Sequence, residues 1–165
     1  MERNDLISDF TSYIENLCRQ HTVILHSAEK KHFVRLDSDE MLQGERTGIC
    51  YPVVTLERLT VSYTGPADGI SKVRHIEMMF LDHVKDPGNF NAISGIWSSM
   101  ESVAEDFIRK IRTDRKNRKD YPFLGGISGM ELDYVENIVS HLWGVLLSFD
   151  YGIPFSECIA PGRFV

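Results

Sequence analysis

The chain has 165 residues, of which 42% are hydrophobic and 25% charged, and its net charge is -6. That length suits one domain able to close a core without metal or disulfide staples, and the composition excludes wholesale disorder. The acidic balance argues against a general nucleic-acid binder. No apolar run approaches the roughly 20 residues needed to cross a bilayer. The opening MERNDLISDF has no apolar signal-peptide region, which predicts a soluble protein made and kept inside a cell, with no membrane partner. The three cysteines, Cys18, Cys50 and Cys158, are odd in number and widely spaced. They read as free thiols rather than as a disulfide framework or a zinc site.

Residues 5–19 predict an amphipathic helix: Leu6, Ile7, Phe10, Ile14, Leu17 and Cys18 fall on one face at 3.6 residues per turn. Asn4 or Asp5 can cap it, and Asp9 suits its first turn. The segments HTVILHSA and KHFVRLD, within residues 21–37, read as a hairpin around a polar turn near Glu29 and Lys30. Residues 38–50, with two glycines and little periodicity, read as a loop. YPVVTLERLTVSYT (51–64) is rich in β-branched and aromatic residues and reads as a long strand opening near Pro52. Its apolar residues change parity midway, which calls for a bulge near Arg58.

GPADG (65–69) is a turn. The strand 73–84 turns Ile76, Met78 and Phe80 to one side, the better core candidate, and His75, Glu77, Met79 and Leu81 to the other. DPGN then prepares a helix start, with Asn89 or Asn91 as N-cap. The helix 91–112 aligns Ile93, Ile96, Trp97, Met100, Val103, Ala104, Phe107, Ile108 and Ile111. This is the longest apolar stripe in the chain. YPFLGGISGM (121–130) reads as a glycine-rich loop. Residues 131–139 read as a paired strand in preference to a short helix. Residues 141–151 read as a strand with Trp143, Val145, Leu147 and Phe149 on one face. The coarse order α-β-β-β-β-α-β-β predicts an α+β fold: a mostly antiparallel sheet with two helices on one face, in a single layer pair. The domain is 1–152, followed by an extended C-terminal arm, 153–165.

The chemistry-bearing residues form no catalytic constellation. His75 and His83 are eight residues apart on one strand, roughly 26 Å, too far to share an ion. His75 with Glu77 makes only two ligands, and His26 with His32 could meet only across the hairpin. There is no GxSxG elbow, no Walker A and no GxGxxG pattern. Gly125, Gly126 and Gly129 lack the strand-before, helix-after context of a phosphate loop. Glu101, Glu105 and Asp106 read as a solvated helix face or a subunit contact. Trp97 and Trp143 read as core. The sequence therefore predicts neither enzyme activity, nor a cofactor, nor a metal.

One stretch stands out. Residues 109–120 hold seven basic residues (Arg109, Lys110, Arg112, Arg115, Lys116, Arg118 and Lys119) against two acidic ones. This local +5 leaves -11 on the remainder of the chain. Basic residues complement a helix C-terminus. The same run can also meet nucleic acid or an acidic surface on a neighbouring subunit. Without interleaved aromatics it does not indicate base stacking.

The N-terminal amphipathic helix, the strands PVVTLERLTVSY and IEMMFLDH, the single long helix and the closing aromatic strand WGVLLSFDYG together resemble the small head–tail joining proteins of tailed bacteriophages. The tail terminator or tail-completion type is the nearest. The resemblance lies in element order and size across most of the chain, so it transfers no individual residue role. It implies an α+β protein without enzyme activity that assembles as a homo-oligomeric ring in the virion, beside other particle proteins. It also implies a charged lumen or rim, with the basic run, the loop 38–50 and the C-terminal arm as contact surfaces. The competing expectation is a small adaptor domain that binds a protein or nucleic-acid partner through the basic run.

Overall fold

The structure is a computed structural model and describes residues 6–35, 48–57, 59–66, 69–137 and 141–155. Its elements are α1 (Leu6–Gln20), β1 (Lys31–Arg35), β2 (Ile49–Leu56), β3 (Thr60–Thr64), β4 (Ser71–His83), α2 (Phe90–Asp114), a short 3-10 helix (Pro122–Gly126), β5 (Ile127–Val135) and β6 (Leu142–Pro154). Six strands make one sheet in the order β1-β2-β4-β6-β5, with β3 also on β4. Every pairing is antiparallel except β1 with β2. The fold is α+β, as the element order predicts.

Both helices pack on one face of this sheet. Phe10 of α1 meets Phe149 of β6 edge-on at 5.8 Å, and Phe107 of α2 meets Phe80 of β4 at 5.0 Å. The stripe on α2 is the one its spacing dictates: Ile93, Met100, Val103, Ala104, Phe107 and Ile111 are buried. Ile96 and Ile108 flank the core, and Trp97 stands 5.9 Å from Trp143. Burial of each large side chain contributes on the order of 1.5–3 kcal/mol before entropy costs. Asn89 caps α2, its side-chain oxygen accepting from the Ala92 N–H at 3.1 Å; Asn91 lies within the helix. On α1, Phe10, Ile14, Leu17 and Cys18 are buried as their spacing requires, and Tyr13 joins them. The side chains of Leu6 and Ile7 lie outside the described residues.

Alternation along β4 separates two environments. Ile76, Met78 and Phe80 enter the main core under the helices. Met79 and Leu81, on the opposite face, are also buried, in a small second cluster with Val53 and Leu142.

Four boundaries differ from the sequence reading. Among the described residues of 21–37 no hairpin forms. Residues 21–30 instead close the end of α1, with the N–H groups of Leu25 and His26 bonded to the carbonyls of His21 and Cys18. Leu25 takes a left-handed φ of 50°, Ile24 enters the core, and Val23 and Leu25 stay exposed. The alternation is real, but it belongs to a helix terminus rather than to a strand. The strand described in that region, β1, pairs in parallel with β2. The strand 51–64 is two strands, β2 and β3, placed in succession along the same edge of β4. They part between Leu56 and Thr60, where the parity change called for a bulge; Arg58 itself lies outside the described residues.

The last two differences are in length. β5 begins at Ile127, inside the stretch read as loop, and Gly129 (φ 64°) sits where its register with β6 shifts. β6 runs on to Pro154, and the Phe155 N–H bonds to the Ile70 carbonyl at 2.9 Å. The first residues assigned to the arm therefore belong to the sheet. Residues 156–165 and most of the loop 38–50 lie outside the described residues, while Ile49 and Cys50 open β2.

Candidate functional site: a basic helix end and an acidic sheet face

The basic run occupies the last turn of α2 and the turns after it. The Arg115 N–H returns to the Ile111 carbonyl at 2.9 Å and the Asn117 N–H to that of Asp114 at 2.8 Å, so the chain stays tightly coiled past the helix end. All seven cations are exposed, but they are not equivalent. Arg109 is held by Glu105 and Asp106. Lys110 donates to Asp114 at 2.8 Å, which raises its pKa. Asp114 is buried, and it also accepts from the Tyr13 hydroxyl at 2.9 Å. That bond and burial push the tyrosine pKa well up, burial being the larger cause. Arg109 and Lys110 are thus occupied within the fold. Arg112, Arg115, Lys116, Arg118 and Lys119 make no ion pair among the described residues. Beside them an open groove of about 490 Å³ runs between α2 and β5, lined by Glu105, Ile108, Arg109, Arg112, Thr113 and Leu132.

The face of the sheet turned away from the helices carries the opposite charge. Strand register sets Glu131 of β5, Ser148 of β6 and Glu77 of β4 side by side. Asp150 lies opposite His75 in the row on one side, and Asp133 lies beside Leu146 and Met79 in the row on the other. With strands about 4.8 Å apart, these carboxylates lie within roughly 10–15 Å of one another. No lysine or arginine among the described residues pairs with Glu77, Glu131, Asp133 or Asp150. Among the described residues the group that bridges two of these carboxylates is His75, with Nδ1 at 2.9 Å from Asp150 and Nε2 at 3.4 Å from Glu77. The Asp150 hydrogen bond is the largest cause of its raised pKa.

The histidines His26 and His32 make hydrogen bonds within the fold. His26 and His32 do not face each other across a hairpin. His26 Nδ1 accepts the backbone N–H groups of His32 and Phe33 at 3.1 and 3.2 Å. His32 Nδ1 lies 2.7 Å from the Pro52 carbonyl, which can only accept, so this nitrogen carries the proton. Around His75 the two carboxylates take opposite ring nitrogens, so the three groups do not converge on one ion. No cluster of His, Cys, Asp and Glu with metal-holding geometry occurs among the described residues. Cys18 is buried and its pKa is raised, mainly by burial; Cys50 is half-buried. Cys158 lies outside the described residues.

Gly126 is a packing glycine: a Cβ there would come within 2.2 Å of the Gly152 carbonyl oxygen. Glu101 accepts from the Tyr134 hydroxyl at 2.9 Å. Trp97 donates to the Val135 carbonyl at 3.2 Å, tying α2 to β5. A cleft of about 330 Å³ between the end of α1 and α2 is lined by Leu17 and Phe107, with His21 at 3.5 Å from Asp106.

Sequence reasoning found the basic run but missed the acidic face. Its signal was present, since Glu77, Glu131, Asp133 and Asp150 lie at alternating positions of strands. Only the register brings them together. No helix among the described residues is long and apolar enough to cross a membrane. No protein-family model matches the chain, and no curated protein matches it.

Proposed function

We propose that the chain is a non-enzymatic structural protein of a phage or prophage particle. In this reading it self-assembles as a ring at the head–tail junction or tail end, and the basic run of one copy docks on the acidic sheet face of the next. One observation carries the reading: among the described residues, five cations without an ion pair stand in the helix layer, and a patch of carboxylates with no lysine or arginine partner lies on the opposite face of the sheet. Complementary patches on different surfaces favour head-to-tail contacts, which close into rings when the rotation permits.

The test is a charge swap. Light scattering behind size-exclusion chromatography, with negative-stain images, should show a large closed species for the native chain, weakened by salt. Reversal of Arg115, Lys116 and Arg118 to glutamate should abolish it. Mixing that variant with one carrying Glu77→Lys and Asp133→Lys should restore mixed assemblies. Unchanged assembly of the triple variant would remove the electrostatic contact from the proposal.

A second reading rests on the same five cations, which fall within eight residues: an adaptor that meets nucleic acid or an acidic protein partner. It expects DNA affinity that falls steeply with salt, in a chain that stays monomeric.

A further inference from the structure

Among the described residues, β3 is a short edge strand that no other element covers. Among the described residues it bonds to β4 on one side only, and each of its five residues, Thr60, Val61, Ser62, Tyr63 and Thr64, is exposed. Natural edge strands are blunted by charge, proline, bulges or a covering element. β3 has no charged residue and no proline, and its register with β4 is unbroken from Thr60↔His75 to Thr64↔Ser71. The other terminal strands differ. β5 carries Glu131 and Asp133 and a register shift, and β1 carries Lys31 and Arg35 with a register shift of its own. Beside β3 lies exposed apolar surface: Val61 is 44%, Tyr63 54% and Phe155 41% exposed, with the Phe155 ring edge-on to Tyr63 at 4.9 Å.

The sequence of this edge is its own complement. Turned antiparallel against a copy of itself about Ser62, the segment places Thr60 opposite Thr64, Val61 opposite Tyr63, and Ser62 opposite Ser62. Thr–Thr and aromatic–β-branched pairs are among the favourable cross-strand combinations, and no like charges meet. We propose that β3 is a two-fold joint, pairing edge to edge with β3 of a second copy to form one continuous sheet through both molecules. Strand parity puts Val61 of each copy against Tyr63 of the other, beside Phe155. The joint uses neither the basic run nor the acidic face, so it goes beyond the electrostatic contact and does not depend on it.

Five residues a side fall well short of the 20–30 of a standard interface. The joint should therefore be weak, half-dissociated at a concentration on the order of tens of micromolar, and nearly insensitive to salt because it carries no charge. Sedimentation equilibrium of the full chain over a wide concentration range, run at high salt to suppress the charge contacts, reads it directly. Ser62→Lys, which sets two ammonium groups face to face, should leave only monomer, with the melting temperature unchanged because the site is exposed. The triple reversal of Arg115, Lys116 and Arg118 should leave the dimer intact, which separates failure of this joint from failure of the head-to-tail contact.

Cysteine cross-linking tests the register. Directly opposed strand residues have Cα atoms about 4.5–5.5 Å apart, within disulfide range. Ser62→Cys alone should form a covalent dimer linked through position 62. Val61→Cys alone should not, but should link to Tyr63→Cys when the two are mixed. A chain that stays monomeric to about 1 mM, a dimer indifferent to Ser62→Lys, or cross-linking in another register would each overturn the proposal.

Discussion

At the scale of single residues, the most consequential group is Asp114, because its buried carboxylate joins both helices through Tyr13 and Lys110. Hydrogen bonds to a charged group contribute about 1.5–3 kcal/mol. Tyr13→Phe should therefore cost about 2 kcal/mol, read from the urea midpoint at constant m-value. Asp114→Ala should cost more, because the tyrosine hydroxyl is then buried without an acceptor. Neither partner was legible in the sequence. Asp114 sits among lysines and arginines and reads as part of a charged surface, and Tyr13 lies one residue from a stripe already complete without it. His75 gives a second, pH-linked prediction. Its pKa is raised by the Asp150 bond, so the stability it contributes is complete below the ordinary value near 6.5 and fades as pH rises through the folded value. Imidazole NMR should show Asp150→Asn bringing the titration down; an unmoved titration would mean that something else holds the proton.

Among the elements, helices were legible because their burial repeats along the chain, as the α2 stripe from Ile93 to Ile111 shows. Strand pairing was not, since partners are fixed by contacts far apart in sequence. HTVILHSA has strand composition, yet its backbone groups are claimed by the end of α1. A window of sequence cannot show that competition. The long strand 51–64 was right in direction and incomplete in detail: β2 and β3 keep the same partner and change register between Leu56 and Thr60. The contact between β4 and β6 is close enough that a Cβ on Gly144 would come within 1.8 Å of the Phe80 carbonyl oxygen. Gly144→Ala should therefore cost about 3 kcal/mol, the upper end for overpacking, and lower the melting temperature sharply. Phe107→Ala, which removes the ring over Phe80, should cost about 3–5 kcal/mol by the same measurement.

For the whole molecule, the α+β class and the placement of both helices on one face follow from the order of elements and their apolar stripes. The charge map was half legible. A run of cations is visible in any reading of residues 109–119, whereas the carboxylates come from three strands and become a patch only through register. Raising the pH through the His75 titration should make that patch more negative and strengthen its contact with cations, which assembly measured at low salt on both sides of the transition would read. The proposed joints differ in symmetry as well as chemistry: the charge contact is head-to-tail and the β3 contact two-fold, so together they would generate a dihedral arrangement. The pairing of β4 with β6 runs unbroken over thirteen residues, from Ser71↔Pro154 to His83↔Leu142, and spans about 40 Å. In mechanical terms it is a beam: tension applied along its strands loads the backbone bonds of the ladder together in shear, whereas tension across them opens the ladder one bond at a time. A particle that strains this protein along β4 would meet a stiff element, and one that pulls sideways on β5 would meet a zipper.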